Sequence, residues 1–256
     1  MFANAPSALP FWHLLTRLGE AQILLPAAAL AVLALVRQPQ GRTLAAWWLA
    51  ALAAAVALTT ASKLAFIGWG LGWPALDFTG ISGHSMFAAA VYPLLLGTLA
   101  PRSPRSLPAL ALGLGALLAL LIGMSRVVVQ AHSVSEVVAG LLLGGAVGAV
   151  AIGRVHLPLL HFSPWVALSA ALWLSAAPVH APASQSHAMV TRLALALSGR
   201  PTPYTRAELR RSGPACLAKT RPSAGNAWEA TPQSAGAPSA TAAGPASSTV
   251  IGPRPL

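Results

Sequence analysis

The sequence predicts an all-α, polytopic membrane bundle of about six transmembrane helices followed by a disordered C-terminal tail, and three observations lead there. Of the 256 residues, 55% are hydrophobic and only 8% charged, too apolar for an ordinary soluble domain and too long for a single anchor. The apolar residues gather in runs bounded by charge, Pro or Gly, at about residues 21 to 36, 43 to 62, 85 to 100, 107 to 124, 137 to 153 and 157 to 177. Some runs are shorter than the ~20 residues that cross a bilayer core, and polar end residues with local snorkelling make up the difference. From about Arg210 onward the chain turns to Ala, Pro, Ser, Thr and Gly, a composition that builds no core.

In chain order, residues 1 to 20 form an interfacial N-terminal segment, amphipathic through Phe11, Trp12, His13 and Arg17. No basic region precedes the first apolar run, and Arg37 stands where a small-residue cleavage site belongs, so the first span is expected to be retained. The transmembrane domain is 21 to 177, with the motifs described below inside 43 to 153. Leu64 to Ile81 is apolar but broken by Gly68, Gly70, Gly72, Pro74 and Gly80, which predicts a folded loop dipping into the headgroup region, anchored by Trp69 and Trp73. Ala139, Gly140, Gly144, Gly145 and Gly148 make the 137 to 153 span a surface that another backbone can approach closely. The 157 to 177 run contains His161 and Pro164 and is a candidate kinked or interfacial segment. Residues 178 to 211 read as an extramembrane segment with an amphipathic helix at 186 to 200, and 212 to 256 as the disordered tail.

The net charge of +11 comes from sixteen Lys and Arg, half of them before residue 178, with no basic, aromatic-interleaved helix in either part. Nucleic acid is therefore not an expected partner, and the bilayer is. The single Cys216 excludes an internal disulfide and a cysteine metal cluster. No metal or cofactor is expected, and the sequence does not specify an oligomeric state.

Alternating the spans puts Lys63, His84, Arg126, His132 and Glu136 on one membrane face. The opposite loops hold Arg37, Arg42, Arg102, Arg105 and Arg154, against Arg17, Lys63 and Arg126 on the first face. Basic loops stay inside, so the five polar residues are expected to face the periplasm or exterior of a cell (inner) membrane, although the basic tail falls on that face too.

These residues suit phosphate chemistry. Phosphoryl transfer asks for positioning and positive charge around the equatorial oxygens. Arg126 offers a planar fork and Lys63 a point charge. Ser82, Gly83 and His84 stand where the third span begins, so free backbone N–H groups and the helix dipole point at the same anion. Of two histidines, one attacks phosphorus and the other protonates the departing alkoxide. Glu136, one helical turn after His132, suits a carboxylate that orients a nucleophilic imidazole, which leaves His84 as the acid. Each residue also has a plainer duty open to it: Ser133 to Glu136 matches a helix capping box, Arg126 and Lys63 can snorkel, and Asp77 can pair with Lys63 or cap a turn. His13, His156, His161, His180 and His187 read as interfacial or tail residues.

The chain resembles the type 2 phosphatidic acid phosphatase superfamily, membrane lipid phosphatases sharing a helical core with vanadium haloperoxidases. The family pattern is K-x6-R-P, then P-S-G-H, then S-R-x5-H-x3-D. Lys63 answers the first motif, Ser82-Gly83-His84 the second, and Ser125-Arg126, His132 and Glu136 the third at the family spacing. The resemblance implies phosphate binding by Lys63, Ser82, Gly83, Ser125 and Arg126, acid catalysis by His84 and nucleophilic attack by His132. Three departures accompany it: Gly70-Leu71 in place of Arg-Pro, Ile81 in place of Pro, and Glu136 in place of Asp. Without that arginine, either another group replaces it or phosphate binding weakens. The function so implied is metal-independent hydrolysis of a lipid-linked phosphate or diphosphate through a phosphohistidine. Its rivals are a phosphotransferase acting on another alcohol, a non-catalytic scaffold or transporter, and, least, a haloperoxidase.

Overall fold

Ala and Leu are strong helix formers, and the apolar runs they dominate become helices that stop where Pro, Gly or charge intervenes. The computed structural model describes residues 9–100, 107–154, 164–180, 182 and 184–211. The helices are α1 (Leu9–Arg17), α2 (Ala21–Val36), α3 (Pro39–Trp69), α4 (Gly83–Leu99), α5 (Leu107–Val128), α6 (Val134–Arg154), α7 (Pro164–His180), α8 (Ser186–Ser198) and α9 (Arg206–Arg211), with a 3-10 turn at Pro74–Leu76. The protein is an all-α membrane bundle. Each apolar run of the sequence lies in one of α2 to α7, the last described from residue 164 onward. The segments Gly41–Trp69, Leu107–Val128 and Val134–Gly153 are each long and apolar enough to cross a membrane. Helices α1 and α2 meet that test as a pair bent by 42°, while α4 and α7 are shorter apolar helices. The expected tail, with Cys216, and the loop holding Arg102 and Arg105 lie outside the described residues, as do His156 and His161.

One boundary moves. Helix α3 does not end at residue 62 but runs through Lys63 to Trp69, because a lone Gly68 among Leu64, Ala65, Phe66 and Ile67 is too weak a breaker to stop it. It stops at Gly70, whose φ of 71° is left-handed, with the N–H groups of Gly70 and Leu71 turning back onto the Phe66 and Ala65 carbonyls in the manner of a glycine-terminated helix. The loop is thus shorter than expected. It holds an isolated bridge between Trp73 and Phe78, and Trp69 and Trp73 are exposed.

Helix α4 lies at the centre, packed on α5 and α6. Eleven of its residues are buried, which is why it is held from several sides. Trp48 of α3 donates its indole N–H to the Ala90 carbonyl at 3.0 Å, and the Tyr92 hydroxyl donates to the Leu18 carbonyl at 2.9 Å. Small residues set the approach of α6: a Cβ on Gly140 would stand 2.5 Å from the Ser82 carbonyl oxygen, and one on Gly144 would fall on that of Met86. A larger residue at either position pushes α6 off the start of α4, where the polar residues gather. Leu110, Leu114, Leu117 and Leu121 are exposed along one face of α5, the pattern of a helix presenting an apolar stripe to lipid.

Candidate active site

Local geometry joins Arg126 to His132. After α5 the chain turns through Gln130, whose φ is 56°, and the N–H groups of Ala131 and His132 both return to the Arg126 carbonyl, at 3.0 and 3.2 Å. Ser133 then opens α6 with a reciprocal cap: its backbone N–H donates to Glu136 Oε2 at 3.1 Å, and its Oγ accepts from the Glu136 N–H at 3.4 Å. The same carboxylate oxygen lies 2.6 Å from His132 Nδ1. Capping and orienting were alternative duties for Glu136 in the sequence, and here one side chain performs both.

A cavity of about 630 Å³ receives Lys63, Gly83, His84, Arg126 and His132 in its wall. Five residues from three separate stretches of chain therefore face one space. Lys63 reaches over the start of α4, so that a Cβ on Gly83 would stand 3.8 Å from its Nζ. Arg126 is steadied by donating from Nη1 to Thr16 Oγ1 at 2.8 Å. Among the described residues, two buried polar atoms on cavity-lining side chains, Arg126 Nε and Thr59 Oγ1, have no hydrogen-bond partner, and such unmet groups are uncommon in native interiors.

The two serines of the expected cradle lie behind this wall. Ser82 and Ser125 are fully buried. The Ser82 N–H donates to the Glu136 carbonyl at 3.1 Å and its Oγ accepts from Ser85 at 3.0 Å, while Ser125 Oγ donates to the Ile122 carbonyl at 2.6 Å. The Ser82 N–H thus ties the start of α4 to α6, whereas the Ser125 hydroxyl bonds within α5, and Gly83 and His84 meet the cavity directly.

Three contacts go beyond the sequence reading. Thr79 of the loop donates its N–H to Glu136 Oε1 at 2.7 Å and its hydroxyl to the same atom at 2.5 Å. Arg206 of α9 donates Nη2 to both Glu136 oxygens at 2.9 Å, and Nη1 to Asp77 Oδ2 at 2.8 Å. Thr59 precedes Lys63 by one turn on the same helix face, a spacing visible in the sequence. Asp77 pairs with Arg206 and Arg210 and not with Lys63, and it also closes the Pro74–Leu76 turn, with a left-handed φ of 49° and its N–H on the Pro74 carbonyl. His187, read as a tail residue, lines the cavity from α8, and His13 and His180 are exposed.

Burial holds the His132 imidazole below its ordinary value against the raising effect of the Glu136 hydrogen bond, and Lys63 and Arg126 lower it further. The ring is thereby kept neutral near pH 7, with one nitrogen committed to Glu136 and the other available. Hydrogen bonds from Arg210 and then Arg206 hold the Asp77 carboxyl below its ordinary range. Among the described residues no group of three or more His, Cys, Asp and Glu side chains is placed to hold a metal ion.

Gly70, where the family pattern has arginine, is closed to side chains. Its backbone is left-handed, and a Cβ there would stand 3.0 Å from the Tyr204 ring. Tyr204, just ahead of α9, occupies that space, and the chain leads from it into Arg206 at the start of α9.

The family model of the PAP2 superfamily matches residues 66–157, a stretch holding His84, Arg126, His132 and Glu136 but neither Lys63 nor Arg206. Over that stretch the chain is similar to the PAP2 superfamily. Among curated proteins, an "Uncharacterized 22.5 kDa protein in cps region" of Klebsiella pneumoniae is 45% identical over 135 residues, which are 53% of this chain and 65% of the relative. The chain thus spans just under two thirds of that relative's length. No solved structure matches.

Proposed function

We propose that the chain is a membrane-integral, metal-independent phosphatase that hydrolyses a lipid-linked phosphate or diphosphate through a phosphohistidine. The observation that carries this reading is the 2.6 Å contact of His132 Nδ1 with Glu136, on the wall of a cavity that also receives Lys63, Arg126 and His84. The contact fixes the tautomer: the proton sits on Nδ1, donated to Glu136, and the lone pair on Nε2 is free to attack.

In the first step the Nε2–P bond forms as the bond from phosphorus to the leaving oxygen breaks, and His84 gives that oxygen its proton. In the second, His84 takes a proton from water, the water oxygen attacks phosphorus, and the N–P bond breaks to release inorganic phosphate. Lys63, Arg126 and the N–H groups at the start of α4 balance the charge on the equatorial oxygens, a duty that elsewhere falls to a metal ion. Arg126 Nε and Thr59 Oγ1, without a partner among the described residues, are in keeping with an anion in this space. The outward orientation rests on the five arginines assigned to the opposite loops, and similarity to the superfamily over residues 66–157 supports phosphatase-type chemistry.

The test is phosphate release by purified protein in detergent across a panel of lipid phosphates and diphosphates, with and without chelator. Release is expected in both conditions and is expected to vanish in a folded H132A. Transfer to an added alcohol without release of phosphate would make the protein a phosphotransferase, and a strict need for a divalent ion would contradict the mechanism.

A further inference from the structure

We infer that Arg206 is a positioning residue for this reaction, holding the Glu136 carboxylate in the orientation that aims His132 at phosphorus. The inference rests on the hydrolase reading and adds a residue that lies outside both the motif-bearing segment and the stretch matched by the family model.

Glu136 is fully buried at the start of a membrane helix, where a carboxylate is costly unless charge and hydrogen bonds surround it. Thr79 and Ser133 supply three neutral hydrogen bonds. Arg206 supplies the permanent positive charge, with Nη2 placed 2.9 Å from each oxygen. That bond spans both oxygens and so fixes the carboxylate plane, which in turn fixes the imidazole bonded to Oε2. The other terminal nitrogen, Nη1, is taken by Asp77, at 2.7 Å to its carbonyl and 2.8 Å to its carboxylate. With both terminal nitrogens held by protein oxygens, Arg206 acts through Glu136 and not as a phosphate ligand.

The delivering segment is itself anchored. Tyr204 donates its backbone N–H to the Ile67 carbonyl at 3.0 Å and lays its ring against Gly70. Thr205 and Glu208 cap α9, with the Thr205 N–H 2.6 Å from the Glu208 carboxylate. Leu209 is buried in a cluster with Phe66, Ile67 and Ala194, and Arg210 clamps Asp77 from the other side at 2.8 Å. These contacts place a guanidinium beside the pocket at the helix end where Gly70 leaves none.

The charged and titratable groups facing His132 are Glu136 on α6, Lys63 on α3, His84 on α4, Arg126 on α5 and Arg206 on α9, with His187 of α8 in the same cavity wall. Loss of Arg206 removes a cation that disfavours the imidazolium and leaves Glu136 a stronger acceptor. Both changes raise the His132 pKa, so the acid limb of the activity profile moves to higher pH.

The experiment compares unmutated protein, R206Q and R206K, all full length in detergent, on whichever lipid phosphate the unmutated protein hydrolyses. Expected for R206Q is a kcat lower by about tenfold or more, a KM nearly unchanged, and an acid limb displaced upward. R206K keeps the charge without the fork, so its acid limb is expected near the original position with kcat between the two. An R206Q of unchanged kcat, or one whose loss lies wholly in KM, overturns the positioning role while leaving the hydrolase reading standing. If R206Q does not fold, R206K carries the comparison: kcat reduced at constant KM supports the role, and unmutated kinetics overturn it. No phosphate release by the unmutated protein overturns the hydrolase reading, and this inference with it.

Discussion

Ser133 to Glu136 at the start of α6 and Thr205 to Glu208 at the start of α9 are the same Ser/Thr-x-x-Glu pattern, and each carboxylate returns to its own box's first N–H, at 3.1 Å and 2.6 Å. In the second box the carboxylate also accepts the Thr205 hydroxyl at 2.8 Å, on the solvent side of a six-residue helix. In the first the side chain is fully buried and meets His132, Thr79 and Arg206 as well. The shared pattern fixes where a helix starts. What each glutamate does beyond that is set by the groups the fold brings to it from elsewhere.

Substitutions can break or sharpen the contrast. The largest effect belongs to E136Q: it keeps the shape of the cap but removes the charge that orients His132 and matches Arg206, so turnover is expected to fall by roughly 10³-fold. A well-folded E136Q with near-normal kcat would reduce Glu136 to a cap like Glu208. H84A comes next, with a loss of about 10²-fold on a lipid phosphate and far less on an aryl phosphate, whose leaving group needs little protonation. Equal losses on the two substrates would contradict the acid role. E208Q is expected to be the mildest, with a loss of activity well under tenfold, because its box only seats α9. A large loss there would mean that α9 fixes Arg206 through the cap alone.

The same contrast explains what the sequence made legible. Arg126, His132 and Glu136 lie within one turn and one cap of each other, so their joint placement is local and their spacing announces it. The six apolar runs are legible for a similar reason, since composition over sixteen to twenty-odd residues decides whether a helix is apolar. The end of α3 was harder to read, because five helix-breaking residues between 64 and 81 look alike in sequence, and only the left-handed Gly70 ends the helix. Arg206 lies 70 residues from Glu136, and nothing local marks it as part of the site. The Thr205 to Glu208 pattern does announce a helix start at that point, yet a start says nothing about which pocket it faces. Ser82 and Ser125 show how much the fold adds: the motif places them beside the phosphate cradle, and in the structure their hydroxyls meet Ser85 and the Ile122 carbonyl.

The central claim is that His132 bonds covalently to phosphorus. The direct measurement is rapid quenching of purified protein turning over a lipid substrate labelled in its phosphate, followed by stability tests on the labelled protein and mapping of the label. The account predicts label on the protein that survives alkali and is lost in acid, as expected of an N–P bond, maps to His132, and is missing from H132A. Steady turnover with no labelled protein at any quench time, or label that persists in H132A, would contradict it.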